Sequence, residues 1–305
     1  MQTTLKADAR FAGTGLHTGR PARVVVRPAA ADTGIWFCRT DLSGPNMIPA
    51  LWDAAQEADL CTLLVNEAGA SVSTVEHLMA ALAGCGISNA IIEIDGPEVP
   101  LLDGSAAPFV RGFLTVGIVA QDAPNRAIEI LKPVEVRRGN AFARLEPFDG
   151  LAMEFEIDFT DAAIGRQVKS LNLRNGAFVH ELCDSRTFCR LEDVDAMRAA
   201  GKIVGGSLTS AVVVDGARVV TPGGLRHSDE PVRHKMLDAL GDLALAGSPI
   251  LGRYVGHRAG HTLTNRLLHA LFADPSAWRM VTCDPIRAAR LPGAGVTRED
   301  MPAAA

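Results

Sequence analysis

Short strand-like runs and amphipathic helical patterns are interleaved along the whole chain, and this mixture constrains the fold most. Runs rich in β-branched or alternating apolar residues, each bounded by Gly, Pro, Asp or Asn, predict strands at 22–27, 90–94, 127–131, 153–159 and 211–214. Helical periodicity predicts helices at about 74–83, 106–116, 177–182, 191–200, 231–246 and 261–273. Because no regular strand–helix–strand rhythm links them, the pattern favours an α+β fold over a doubly wound parallel sheet.

A polar, turn-rich segment divides the chain near its middle. Residues 121–125 read Gln-Asp-Ala-Pro-Asn, which is typical of a linker. A chain of 305 residues is long enough for two domains. We therefore expect an N-terminal domain at 1–122 and a C-terminal domain at 126–300.

Composition excludes several classes of protein. With 48% hydrophobic and 21% charged residues the chain is not disordered, and its net charge of −5 argues against a general nucleic-acid binder. No secretory leader is apparent at the start, and no apolar run approaches the roughly 18 residues that cross a bilayer. Six cysteines without a CxxC pair predict reduced thiols, as in a cytoplasmic protein. They are Cys38, Cys61, Cys85, Cys183, Cys189 and Cys283. We also expect no stable membrane insertion.

The first chemical candidate is the pair Glu76 and His77. Two interpretations are open. Ser73 and Glu76 have the spacing of a helix capping box, and if they form one, His77 only packs against the core. Alternatively His77 is a metal ligand and Glu76 a general base beside a metal-activated water.

The second candidate is a polar stripe on the predicted helix 231–246. His234 and Asp238, with Asp242 one turn further on, lie on one face because they are four residues apart. Such a stripe is often only the solvated face of an amphipathic helix, but a His and an Asp one turn apart can also bind a metal. A third ligand from elsewhere would leave the open position of a hydrolytic zinc site.

His261 is the third candidate, in a Gly-flanked loop that leads into a helix. It is either an exposed histidine at a helix start or a general acid, if a nearby carboxylate keeps its ring charged. No P-loop, GxGxxG or GxSxG motif accompanies these residues, so nucleotide-dependent redox, phosphoryl-transfer and serine-hydrolase chemistry are poorly supported.

Taken together and in order, several segments closely resemble the UDP-3-O-acyl-N-acetylglucosamine deacetylases, zinc enzymes of lipid A (lipopolysaccharide) biosynthesis. The resemblance spans about residues 3 to 275. The segments are GLHTG at 15–19, TVEHL at 74–78, AALAG at 80–84, DGPEVP at 95–100, DGSAAPFV at 103–110, SRTF at 185–188, VRHKMLD at 232–238, GDL at 241–243 and GH at 260–261.

The resemblance implies an amide hydrolysis with Zn²⁺ as cofactor, which yields acetate and a free amine. It implies zinc ligands at His77, His234 and Asp238. Catalytic roles fall to the base Glu76, the acid His261, Asp242 behind that acid, and Thr187 at the oxyanion. The implied contacts to the small-molecule substrate come from Lys235 at the diphosphate, Asp158 and Phe159 near the uridine, and Phe188.

The family fold implied is two similar α+β domains, each a helical layer on a sheet, with the active site at their interface. The first carries Glu76 and His77, and the second carries His234, Asp238 and His261. An insert near 189–214 would form an apolar passage for the acyl chain. Its apolar candidates, which would also suit plain core packing, are Leu191, Val194, Met197, Ile203, Val204 and Leu208.

Two alternatives are a catalytically silent nucleotide-sugar sensor on the same scaffold and a zinc amidase for another acylated sugar. Glu76 and His261 argue against the first, because a silent relative could lose both. Cys189, Arg190 and Pro231 depart from the family pattern, but none occupies a metal or acid–base position. A monomer is expected, since two domains can enclose such a site.

Overall fold

The computed structural model describes residues 1–207 and 210–302, so Leu208 and Thr209 of the predicted insert lie outside the described residues. The first part of the chain, to residue 120, contains ten strands and two helices in these described residues. They are β1 (Thr3–Leu5), β2 (Ala9–Thr14), β3 (Pro21–Pro28), β4 (Ile35–Arg39), β5 (Met47–Pro49), β6 (Ala55–Gln56), β7 (Leu63–Val65), β8 (Ser71–Ser73), α1 (Glu76–Gly84), β9 (Ala90–Ile94), α2 (Ala107–Val116) and β10 (Ile118–Ala120).

The second part of the chain begins after the 121–125 segment. Its elements are β11 (Arg126–Ile130), β12 (Val134–Arg138), β13 (Ala141–Glu146), β14 (Leu151–Asp158), β15 (Arg166–Asn172), α3 (Ala177–Glu181), β16 (Phe188–Arg190), α4 (Leu191–Ala199), β17 (Val212–Asp215), β18 (Arg218–Val219), α5 (Glu230–Leu243), β19 (Ile250–His257), α6 (His261–Ala273), β20 (Trp278–Thr282) and α7 (Pro285–Ala288), with 3₁₀-helices at Ala244–Ala246 and Arg298–Asp300.

A five-stranded sheet in the order β2-β3-β9-β4-β5 forms the centre of the first part. Alternate residues of β3 point inward, and Val24 and Val26 are fully buried, as the apolar alternation predicts. Helix α2 packs on this sheet, with the ring of Phe109 lying 4.9 Å from that of Phe11 on β2. A smaller sheet, β6-β7-β8, lies beside it, and β1 pairs with β10.

The second part is built around β19, which pairs with β11, β13 and β14 in a seven-stranded sheet. Helix α6 packs against this sheet: the hydroxyl groups of Tyr254 on β19 and Thr264 on α6 are 3.0 Å apart, and both residues are buried. In a separate sheet, β16-β17-β18, the first two strands lie at the two ends of the segment predicted as the insert.

The α+β fold class is confirmed, and all six predicted helices are present to within two residues at their starts. The 121–125 segment carries no strand or helix, and among the described strands every pairing joins members of the same part of the chain. The exact domain bounds, 1–122 and 126–300, stay a prediction.

All six cysteines are free, as predicted. Among the described helices, none is both long enough and apolar enough to span a lipid bilayer. The insert region is only partly buried: Val194 and Ile203 are enclosed, whereas Val204 is 58% exposed.

Candidate metal centre and active site

Helices α1 and α5 cross in close contact. The backbones approach closely at Gly241 on α5, where a Cβ atom would lie 2.1 Å from the carbonyl oxygen of Glu76. The first turn of α1 carries Glu76 and His77, while α5 carries His234 and Asp238 one turn apart. The crossing therefore brings residues from distant parts of the sequence to one point.

His77, His234 and Asp238 form a buried cluster whose potential ligand atoms all lie within 4.8 Å of one another. Nε2 of His77 is 3.5 Å from Oδ1 of Asp238, and Nε2 of His234 is 3.2 Å from the same oxygen. The two imidazole rings are nearly perpendicular, at 84°. Two imidazoles and a carboxylate are a common ligand set for zinc and related divalent metals.

The polar atoms of this cluster fit a bound cation. Oδ1 of Asp238 is buried and has no hydrogen-bond partner among the described residues. Nδ1 of His234 lies 3.0 Å from the carbonyl oxygen of Ser185, so Nδ1–H donates and the lone pair of Nε2 faces Asp238. Burial lowers the pKa of His234 to about 4, which keeps the ring neutral at pH 7. A divalent cation would satisfy the unpaired carboxylate oxygen and both nitrogens.

Lys235 occupies the other oxygen of the Asp238 carboxylate. Its Nζ donates to Oδ2 over 2.8 Å, and its side chain is 17% exposed. Burial alone would raise the pKa of Asp238, but the positive charges of Lys235 and His261 hold it well below its usual range. Asp238 is therefore ionised, with Oδ1 directed at the two histidines.

Glu76 and His261 face each other beside the cluster. Nε2 of His261 is 3.8 Å from Oε1 of Glu76 and 3.9 Å from Oδ2 of Asp238. Burial raises the pKa of Glu76, which is 3% exposed. Burial alone would lower the pKa of His261, but the negative charges of Asp242 and Glu76 raise it to about 9. At neutral pH His261 therefore carries a proton that it can donate.

Asp242 lies behind His261 and is 1% exposed. Its Oδ2 is 2.9 Å from Nδ1 of His261, which orients the ring so that Nε2 faces the cluster. The interpretation of the α5 stripe as a solvated face is therefore wrong, because His234, Asp238 and Asp242 are all buried.

The predicted capping box is also wrong. Helix α1 has Val75 at its N-cap position and no side-chain cap, and the hydroxyl of Ser73 donates instead to the carbonyl oxygen of Pro97. The carboxylate of Glu76 points into the site, where Oε2 accepts a hydrogen bond from the backbone N–H of Thr62. Between the serine and the helix, Thr74 has a left-handed backbone conformation with φ of 57°.

Thr62 is a member of the site that sequence reasoning missed. It is fully buried just before β7, and its hydroxyl donates to Oδ1 of Asp242 over 2.5 Å. Its Oγ1 also lies 3.3 Å from Nδ1 of His261. No local signal marks it, since it follows Cys61 in an ordinary apolar run and its partners are far away in the sequence.

A buried ion pair supports the site from behind and was likewise not predicted. Glu230, at the start of α5, is fully buried and accepts hydrogen bonds from the backbone N–H and the guanidinium of Arg186 and from the backbone N–H of Arg226. Arg186 lies between Ser185, the partner of His234, and Thr187. The pair thus ties the 185–188 segment to the helix that carries His234 and Asp238.

Of the predicted substrate residues, Lys235 and Phe188 lie beside the cluster. The ring of Phe188 is 6.3 Å from that of His234 and 5.4 Å from that of Phe159. Thr187 is half-buried, and its backbone N–H donates to the carbonyl oxygen of Gly104. Asp158 forms an ion pair with Arg258 at the exposed end of β14. The roles of these residues toward a substrate stay predictions.

Comparison with known proteins places the chain in a family. A sequence model described as UDP-3-O-acyl N-acetylglycosamine deacetylase matches residues 2–273. The chain belongs to this family. It is 53% identical to the UDP-3-O-acyl-N-acetylglucosamine deacetylase of Phenylobacterium zucineum, over 92% of the chain and 96% of that relative. It is 45% identical to the enzyme of the same name from Pasteurella multocida, over 93% of each. The resemblance inferred from the motifs is confirmed.

Proposed function

We propose that the protein hydrolyses the acetamide of UDP-3-O-acyl-N-acetylglucosamine, which releases acetate and the free amine in lipid A biosynthesis, and that its metal is zinc. The observation that carries the proposal is the convergence of His77, His234 and Asp238 with Glu76 and His261 in a member of this deacetylase family. Each of these groups has the environment that its role requires.

Zinc held by His77, His234 and Asp238 would supply a Lewis acid that polarises the amide carbonyl and makes water more acidic. Glu76 accepts the proton of the attacking water on Oε1, the oxygen that faces His261. As water adds to the acetyl carbon, the hydroxyl of Thr187 donates to the developing oxyanion.

His261 completes the reaction as the general acid. Its Nε2 proton passes to the amide nitrogen as the C–N bond breaks, so that the sugar leaves as an amine and the acetyl group as acetate. Asp242 stabilises the charged ring through Nδ1 before this transfer. The proton donor and the proton acceptor thus both lie beside the metal cluster, with Nε2 of His261 3.8 Å from Oε1 of Glu76.

The remaining substrate would extend away from the metal. One N–H group of the Lys235 ammonium donates to Asp238, which leaves two N–H groups to bind the diphosphate. Asp158 and Phe159 would contact the uridine, Phe188 would line the sugar site, and the insert near 189–214 would hold the acyl chain. We further propose that the domains at 1–122 and 126–300 enclose the site and that the protein is a cytoplasmic monomer.

Acetate release tests the proposal directly. The purified protein should contain about one zinc ion per chain and should release acetate from UDP-3-O-acyl-N-acetylglucosamine, with a dependence on acyl length that reports on the insert. Glu76→Gln should keep the metal and bind the substrate but lose turnover. If the metal-loaded wild type binds the substrate as Glu76→Gln does and also fails to turn it over, the protein is a silent binder.

A further inference from the structure

Thr62 contacts the groups assigned to both proton transfers. Its backbone N–H is 3.1 Å from Oε2 of Glu76, and its Oγ1 is 2.5 Å from Oδ1 of Asp242. The two contacts span 14 and 180 residues of sequence, respectively, so one residue links the first turn of α1 to the far end of α5.

The hydroxyl contact fixes the orientation of the Asp242 carboxylate. The Thr62 hydroxyl donates this hydrogen bond, and the carboxylate oxygen Oδ1 accepts it. With Oδ1 held in this way, rotation of the carboxylate would break the bond to Thr62, and Oδ2 stays 2.9 Å from Nδ1 of His261. The His261 ring therefore keeps Nε2 directed at the cluster.

The backbone contact selects which oxygen of Glu76 can act. Oε2 is occupied by the N–H of Thr62, which leaves Oε1 toward His261. One fully buried residue therefore contacts the base through its backbone N–H and the carboxylate behind the acid through its hydroxyl.

We propose that Thr62 is a positioning residue that sets the distance and orientation between the general base Glu76 and the Asp242–His261 pair. This inference rests on the proposed deacetylase function. Thr62 does not touch the reacting atoms; it acts through Glu76 and Asp242.

Thr62→Val removes the hydroxyl and keeps both the shape and the backbone N–H. We expect kcat to fall about 10- to 100-fold, with KM changed less than about twofold and metal content unchanged, because only the orientation of the acid is affected. Thr62→Ser restores the hydroxyl and should keep kcat within about threefold of the wild type.

A matched control is Thr4→Val. Thr4 is also buried, and its hydroxyl donates to the carbonyl oxygen of Asn89 and accepts from the N–H of Ala29, but it lies in β1 away from the cluster. Thr4→Val should lower stability and leave kcat unchanged. If Thr62→Val does not fold, Thr62→Cys, whose thiol is a weaker donor of similar size, replaces it.

A double-mutant cycle with Asp242→Ala tests the route of the effect. If Thr62 acts through Asp242, the total loss of kcat in the double variant is smaller than the product of the two single losses. Three outcomes would overturn the inference. They are a double variant whose loss equals the full product, a kcat of Thr62→Val equal to that of the wild type, and an effect of Thr62→Val on KM alone.

A crystal structure of Thr62→Val gives a readout that does not need turnover. The Asp242 carboxylate and the His261 ring should rotate away from their wild-type positions, and unchanged positions would overturn the inference. If the wild type itself releases no acetate, the proposed function fails, but the structural comparison still decides the role of Thr62.

Discussion

Oδ2 of Asp242 lies 2.9 Å from Nδ1 of His261, so a buried carboxylate both orients this ring and keeps it protonated. The resulting pKa of about 9 is above the ordinary value for histidine, although burial alone would have lowered it. A ring that is charged at neutral pH suits a proton donor and does not suit a metal ligand. The same contact therefore distinguishes His261 from His234, whose pKa is lowered by burial to about 4.

Asp242→Asn should move the basic limb of the pH profile of kcat to lower pH. The acid is active below the pKa of His261, and loss of the neighbouring negative charge lowers that pKa, so activity is lost at a lower pH. We also expect kcat at neutral pH to fall about 10- to 100-fold. Glu154→Gln, at an exposed carboxylate on β14, is the control and should leave the profile unchanged. A basic limb that does not move in Asp242→Asn would argue against His261 as the acid.

Metal content should separate the ligands from the acid. His234→Gln removes a nitrogen that faces Asp238, and we expect metal affinity to fall at least about tenfold together with turnover. His261→Gln should keep the metal and lose only turnover, because Nε2 of His261 contacts carboxylate oxygens of Glu76 and Asp238. Metal analysis of both purified variants, alongside acetate release, checks this. Metal loss in His261→Gln would make that residue a ligand.

Local patterns predicted the helices well. Helix α6 begins at His261 and ends at Ala273, as its periodicity indicated, and α5 places His234 and Asp238 on one face. Both features depend on residues within a few turns of each other, which is the range over which helical periodicity carries information. The pairing of α5 with α1 came from the resemblance to a family and not from either helix alone.

Features that depend on long-range packing were not predictable. Thr62 meets Asp242 across 180 residues, and nothing in its neighbourhood marks it. The central strand β19 was missed because Gly252 and Gly256 interrupt its apolar pattern. A Cβ on Gly256 would lie 2.7 Å from the ring of Phe155, so the glycine that obscures the strand is required by its packing.

Loss of the Glu230 carboxylate should weaken the fold most at neutral pH. Burial alone would raise the pKa of Glu230, but hydrogen bonds from Arg186 and from the N–H of Arg226 lower it. Since the folded pKa lies below the unfolded one, this pair stabilises the fold above the unfolded pKa, and the contribution is lost as pH falls through the folded pKa. Glu230→Gln should lower the free energy of unfolding at neutral pH by about 3–5 kcal/mol, and by less in acid.

Urea unfolding at neutral and at acid pH measures this difference. Glu192, whose side chain is 65% exposed and pairs with Arg190 at the surface, is the matched control. Glu192→Gln should change the free energy of unfolding by no more than about 0.5 kcal/mol. Equal effects of the two substitutions would mean that the buried pair contributes nothing beyond a surface ion pair.

Gly241→Ala should damage the metal centre although alanine favours helices. In an isolated helix the change would stabilise by about 1 kcal/mol, but here the new Cβ would lie 2.1 Å from the carbonyl oxygen of Glu76. Because the obstacle is backbone, α1 and α5 must move apart, which we expect to cost about 1–3 kcal/mol of stability and to draw His77 away from Asp238. Thermal unfolding and metal content measure both effects. Gly96→Ala, whose Cβ would be 3.9 Å from its nearest neighbour, should change neither. A Gly241→Ala protein with full stability and full metal content would show that the contact between α1 and α5 does not hold the ligands together.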